Sequence, residues 1–181
     1  MNSIVEGRER IAYLLTEEVE RLSVKVVSAT VVAGLTWGTR VSDRLRLPLI
    51  YLEKEPKEHG TQRHLYGRLE QGQTVVQIED VITTGRSCLR SVEGVRGEGG
   101  IVTHCVGIVN YGLATTTEDF AAADCELITL TDLDTILRVA EEPKYGIPNK
   151  EGKIAATREW QRDPHAWARE WTLRDIEKHR D

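Results

Sequence analysis

The chain has 181 residues, 40% of them hydrophobic and 29% charged, with a formal net charge of −5; this suffices for one packed domain with attached helices and is too short for two of ordinary size. The acidic balance argues against a broad basic surface for nucleic acid, and no apolar run approaches the roughly 20 residues that span a bilayer. "MNSIVEGRER" lacks the layout of a signal peptide, and Cys88, Cys105 and Cys125 stand 17 and 20 residues apart, which is neither a disulfide framework nor a CxxC metal site. The reading is a cytoplasmic protein with reduced, buried thiols and no membrane or nucleic-acid partner.

In chain order, "VEGRERIAYLLTEEVERL" (5–22) places Ile11, Leu14, Leu15, Val19 and Leu22 on one helical stripe. Runs rich in β-branched residues follow: "VVSATVVAGL" (26–35), "LPLIYLE" (47–53), "TVVQIED" (74–80), "IVTHCVGIVN" (101–110) and "CELITL" (125–130) read as strands. Residues 87–96, 115–122 and 131–141 read as helices. Such alternation predicts an α/β fold, a mainly parallel sheet flanked by helices. Gly72 marks a polar turn, which predicts that residues 65–70 pair antiparallel beside the central strand. The glycines at 94, 97, 99 and 100 precede a strand, so they stop a helix and form no dinucleotide fingerprint.

The α/β domain is expected over 1–142, and a helical extension over 143–181 packs on that domain or on a partner. "YGIPNKEGK" (145–153) reads as a linker. Asp163-Pro164 then reads as an N-cap with proline at the first helical position, and Trp167 and Trp171 share one helical face for core packing or a subunit contact.

The stretch "VVQIEDVITTGRS" (75–87) carries the chemistry. In an open parallel sheet, ligands collect at the carboxyl ends of strands, where the next helix directs its first amides. Thr83, Thr84, Gly85, Arg86 and Ser87 fall at such a strand-to-helix turn, and amides, hydroxyls and a guanidinium there suit a phosphate. Charge-assisted hydrogen bonds of this kind contribute about 1.5–3 kcal/mol each. Glu79 and Asp80 would repel that phosphate, so they face sugar hydroxyls or hydrated Mg²⁺ instead. The bland alternative is an acidic cap for the helix; capping does not call for two adjacent carboxylates followed by Thr-Thr-Gly. "VITTGRS" also lacks the lysine of a P-loop, which weakens an ATPase reading.

This stretch resembles the motif with which type I phosphoribosyltransferases bind 5-phosphoribosyl 1-pyrophosphate (PRPP). "LPLIYLEKEPKEHGTQRHLYGRL" (47–69) resembles the mobile catalytic loop of the orotate branch, and "LITLTDLDTILRVAEE" (127–142) is similar to its last strand and helix. Alone, 53–64 would read as a solvated hairpin loop.

The resemblance covers about 30–140. It implies the type I phosphoribosyltransferase fold, with a reduced amino-terminal hood and a helical carboxy-terminal tail. The reaction implied is transfer of phosphoribosyl from PRPP to orotate or a related base, with release of pyrophosphate, as in pyrimidine nucleotide biosynthesis. Lys54, Lys57, His59 and Asp80 would be catalytic. Glu79, Asp80, Val81, Thr83, Thr84, Gly85, Arg86 and Ser87 would bind PRPP, with Glu79 and Asp80 holding Mg²⁺ through water. A homodimer would share loop 54–60 across its interface.

The chain also departs from that pattern. The family's Lys-Ser-Gly hood segment has no counterpart. "VAGLTWGTRVSDRL" (32–45) stands in place of the pyrophosphate loop but is shorter, with bulky Trp37. Glu53 replaces an arginine, and Asn110 and Tyr111 lie where an arginine usually meets the base carboxylate. The alternative reading is a non-catalytic regulatory protein that binds PRPP or a nucleotide; the sequence does not name the acceptor base.

Overall fold

The computed structural model describes residues 4–52, 65–144, 150–164 and 166–167. Its first helix, α1 (Val5–Arg21), buries Leu15 and Val19 of the apolar stripe together with Ala12, while Ile11 and Leu22 are partly buried against the same core. Strand β1 (Val26–Ala29) is buried at every position. The run read as one strand over 26–35 then breaks: from Ala33 the chain is helical, forming α2 (Ala33–Leu45). Packing explains the difference. Gly34, Trp37, Gly38 and Val41 recur at helical spacing and are all buried, and a Cβ on Gly38 would stand 2.6 Å from that of Ala29. Small residues thus let α2 lie directly on β1.

The sheet continues with β2 (Leu49–Leu52), β3 (Leu65–Tyr66), β4 (Thr74–Ile78), β5 (Val81–Ile82), β6 (Ile101–Asn110) and β7 (Glu126–Asp132). β1 pairs in parallel with both β2 and β4, and β4 pairs with β6. β5 resumes beside the far end of β6 on the edge that β4 uses, while β7 occupies the opposite edge. The antiparallel pairing expected of 65–70 beside the central strand is corrected: β3 pairs with β2, Tyr51 opposite Tyr66, their rings stacked 4.8 Å apart. It is therefore an edge strand.

Helices cover both faces, as alternation predicts. α1 and α2 enclose one core with Val27, Val76, Ile78 and Val106. α3 (Arg86–Gly97) and α4 (Ala114–Ala122) enclose the other through Cys88, Val92, Val95 and Phe120. All three cysteines are unbridged and buried. Trp37, read as a bulky residue of a pyrophosphate loop, is instead 4% exposed in the α1–α2 core.

After β7, α5 (Leu133–Ala140) is capped by the Asp132 side chain, which accepts from Thr135 N at 2.7 Å. α6 (Lys150–Arg162) starts inside the stretch read as linker and packs Ile154 and Trp160 on Leu133, Leu137 and Tyr111. Asp163 accepts from Ala166 N at 2.8 Å, the N-cap that Asp163-Pro164 predicts. Among the described residues no helix is long and apolar enough to cross a membrane.

Candidate functional site

β1 leads through α2 to β2 on one side, whereas β4 and β5 lead through α3 to β6 on the other. The point where the strand order reverses lies between the carboxyl ends of β1 and β4, the place where open α/β sheets bind ligands. Pairing stops there for two residues, Glu79 and Asp80. Glu79 N still donates to Val106 O (3.1 Å), and the Asp80 carbonyl accepts from both Ile108 N (3.1 Å) and Val109 N (3.3 Å). This break holds both carboxylates at the sheet's carboxyl edge.

The two acids differ in environment. Asp80 is half-buried, while Glu79 is only 4% exposed. Glu79 Oε1 accepts from Asp80 N at 3.2 Å, and among the described residues its Oε2 has no partner. Burial pushes the Glu79 carboxyl up to about 7; the neighbouring Asp80 carboxyl adds to the rise and the Thr30 hydroxyl opposes it. Gly34, in the first turn of α2, closes over this group: a Cβ there would lie 2.8 Å from Ile78 O and 3.2 Å from Glu79 Oε1. The backbone of that turn therefore approaches the carboxylate closely, where the positive end of the helix dipole favours negative charge.

β5 then leads into the turn expected to hold phosphate. Thr83 is exposed, Thr84 and Ser87 are half-buried, and Arg86 is exposed. Gly85 is the N-cap of α3 with φ 71°, a left-handed conformation that glycine adopts without strain. The close approach it permits is also internal, since a Cβ would meet the Phe120 ring at 2.5 Å. Glycine offers no side-chain cap, so the first amides of α3 stay available to an anion. The start of the turn is fixed by two hydrogen bonds: Tyr111 N donates to Ile82 O (2.9 Å), and Thr116 Oγ1 donates to Thr83 O (2.7 Å).

A buried polar chain lies beneath. Ser91 Oγ donates to Gln77 Oε1 (3.1 Å), and Gln77 Nε2 donates to Thr30 Oγ1 (2.9 Å). It joins α3 to the turn after β1 beside Glu79. Sequence reasoning missed Thr30 and Ser91, although glutamine inside the fully buried run "VVQI" was the signal.

Of the residues singled out from sequence, Glu79, Asp80, Val81, Thr83, Thr84, Gly85, Arg86 and Ser87 line one continuous edge, with Val81 37% exposed. Lys54, Lys57 and His59, and Glu53 with them, lie outside the described residues. No cluster of three or more metal-ligating side chains occurs among the described residues. Two adjacent carboxylates, one with an unpartnered oxygen, fit an ion that keeps much of its water and takes further oxygens from substrate; Mg²⁺ binds in that way.

No protein-family model matches the chain. It is 33% identical over 162 residues to the orotate phosphoribosyltransferase of Lactiplantibacillus plantarum, covering 88% of this chain and 75% of the relative. It is 34% identical over 167 residues to that of Coxiella burnetii, covering 91% and 78%. Among solved structures it is similar to orotate phosphoribosyltransferase from Aeropyrum pernix, with TM-score 0.70 and 29% identity over 76% of this chain and 77% of that one.

Proposed function

This chain belongs to the orotate phosphoribosyltransferase family, and we propose that it transfers the phosphoribosyl group of PRPP to a nucleobase and releases pyrophosphate. One observation carries the reading at residue level. The glycine-capped amino terminus of α3 and the Glu79–Asp80 break are seven residues apart on one sheet edge, at the switch point between β1 and β4. A phosphate receptor and a pair of acceptor-only carboxylates at that spacing match a ligand with a 5-phosphate and free ribose hydroxyls.

In this reading the turn Thr83–Ser87 holds the 5-phosphate, and Asp80 and Glu79 accept from the ribose hydroxyls. The turn between β1 and α2, together with Lys54, Lys57 and His59, serves the pyrophosphate. Asp80 and Glu79 would also hold Mg²⁺, which when bound would supply charge neutralisation on the leaving group. A ring nitrogen of the base displaces pyrophosphate from C1 through an oxocarbenium-like state. The carboxylates lie on the side where positive charge develops, so stabilisation is electrostatic and no protein nucleophile is needed. The working unit is a homodimer sharing loop 54–60. Three unbridged cysteines suit the cytoplasm.

The test is pyrophosphate release from PRPP and Mg²⁺ with a panel of free bases, alongside calorimetric PRPP binding. Asp80→Asn is expected to weaken PRPP at least tenfold and Cys88→Ala to leave it unchanged, since Cys88 packs inward. Release with no base and equal PRPP affinity in parent and Asp80→Asn would refute the assignment.

A further inference from the structure

Gln77 interrupts the apolar interior of β4: Val75, Val76 and Ile78 surround it in sequence, and it is itself fully buried. A hydrocarbon side chain would pack here without partners, whereas a buried amide needs one for its oxygen and one for its nitrogen. Gln77 finds them in two directions. Its Oε1 accepts from Ser91 Oγ of α3 (3.1 Å), and its Nε2 donates to Thr30 Oγ1, just past the end of β1 (2.9 Å). The Ile78 carbonyl lies 3.4 Å from Nε2 and sets the orientation of the amide, since an amide oxygen in that place would face another acceptor. Ser28, the cross-strand neighbour of Gln77 on β1, is buried, and among the described residues its hydroxyl has no partner. Gln77 thus engages the carboxyl end of the sheet rather than its neighbour across the strands.

These bonds have a direction. Ser91 and the Gln77 amide each donate to the next group, so Thr30 Oγ1 is an acceptor toward Gln77 and keeps its own hydrogen for another partner. Thr30 N donates to Ile78 O (3.1 Å), which ties Thr30 to the residue just before Glu79. The Glu79 carboxyl is next in line, and the Thr30 hydroxyl favours its charged form. One Glu79 oxygen accepts from Asp80 N, while the other is buried and unpartnered among the described residues, so few groups hold the carboxylate in place.

We propose, building on the phosphoribosyl-transfer reading, that Gln77 is a positioning residue: fastened by Ser91, it keeps the Thr30 hydroxyl turned toward the Glu79 carboxylate and so presets that carboxylate for the ribose hydroxyls of PRPP. A carboxylate oriented before the ligand arrives loses less freedom on binding. Gln77 itself touches neither ligand nor reacting atoms; its effect passes through Thr30.

The experiment uses the full chain with two probes, PRPP with Mg²⁺, followed by calorimetry, and inorganic phosphate, followed by NMR titration. In the transfer reading PRPP engages Glu79, whereas phosphate engages only the turn 83–87. The double variant Gln77→Leu/Ser91→Ala removes the amide together with the hydroxyl it would strand, because deleting both partners of a buried hydrogen bond disturbs folding less than deleting one. Thr30→Val removes the terminal hydroxyl and Thr30→Ser keeps it; thermal melts show that each variant is folded. The double variant and Thr30→Val are expected to bind PRPP about fivefold more weakly or worse, the order a single hydrogen bond contributes, and to bind phosphate within about twofold of the parent. Thr30→Ser recovers most of the loss seen in Thr30→Val. Ser91→Ala alone, which unfastens the amide, is the second variant at the Gln77 end and loses about twofold or more for PRPP. In the ligand-free protein, the ¹³C resonance of the Glu79 side-chain carboxyl moves in the double variant and in Thr30→Val and returns toward the parental position in Thr30→Ser. Parental PRPP affinity in the double variant or in Thr30→Val, or an equal loss for PRPP and phosphate, would overturn the proposal and leave Gln77 a packing role alone. A parent that binds no PRPP would overturn the transfer reading; the carboxyl resonance then decides, and the same position in every protein would overturn the positioning role as well.

Discussion

Replacing Glu79 by glutamine is expected to stabilise the ligand-free protein, and by an amount that depends on pH. Glu79 is 4% exposed and its carboxyl is raised from 4.5 to about 7. A carboxyl raised in the folded state holds a proton between those values that the unfolded chain has already released. Folding is therefore unpenalised at and below about pH 4.5, loses stability as pH rises, and bears the full cost above about pH 7. At about 1.4 kcal/mol per unit, the shift amounts to about 3 kcal/mol at pH 8. Glutamine keeps the shape and never ionises. For a chain of this size each kcal/mol moves Tm by roughly 2–4 °C, so Glu79→Gln should melt some 6–12 °C above the parent at pH 8 and together with it near pH 5. Calorimetric melts at pH 5, 6, 7 and 8 in EDTA, which keeps divalent ions from compensating the charge, measure the gap. A gap equal at pH 5 and pH 8, or a less stable variant at pH 8, would refute the argument. The same variant should bind PRPP poorly, so stability and function oppose each other at one carboxyl.

Gly85→Ala places a side chain at φ 71° and against Phe120, so it should cost at least about 1–2 kcal/mol and weaken PRPP more than tenfold. Adding Phe120→Leu should recover part of the affinity, and calorimetry on the double variant checks this. Mixing Lys57→Ala chains with Asp80→Asn chains should restore part of the parental pyrophosphate release if loop 54–60 is shared; a strictly monomeric active protein excludes sharing. Glu53→Arg should tighten PRPP, since one unlike-for-like charge pair at 4 Å is worth about 1 kcal/mol in water and about 4 at an effective dielectric of 20. The gain should shrink at high salt; equal affinities of parent and variant at low salt would place Glu53 away from the ligand.

What could be read from sequence was local. The run 75–87 announces itself because its strand, paired acids and glycine turn are contiguous, and the alternation of strands and helices predicts the layered sheet. α2 was hidden because Val31 and Val32 prolong a β-branched run, while its sheet-facing positions Gly34 and Gly38 are small and carry little hydrophobic signal. Those glycines matter for what they allow near them, and that is set by Ile78, Glu79 and Ala29. The partner of β3 was misjudged because register between separate strands is a tertiary choice. The inward turn of Glu79 and the seating of α6 over Tyr111 depend likewise on segments distant in the chain.

The β2–β3 pairing has a consequence of its own. Leu52 stands opposite Leu65, so the chain leaves the sheet and returns to it at neighbouring points. The entropy of closing that excursion is thus met by the Tyr51–Tyr66 stack and its ladder, whatever the excursion contains. Because closure entropy grows only with the logarithm of length, doubling the inserted segment costs about 0.6 kcal/mol. The length of chain between Leu52 and Leu65 can therefore change while the sheet's stability hardly registers it.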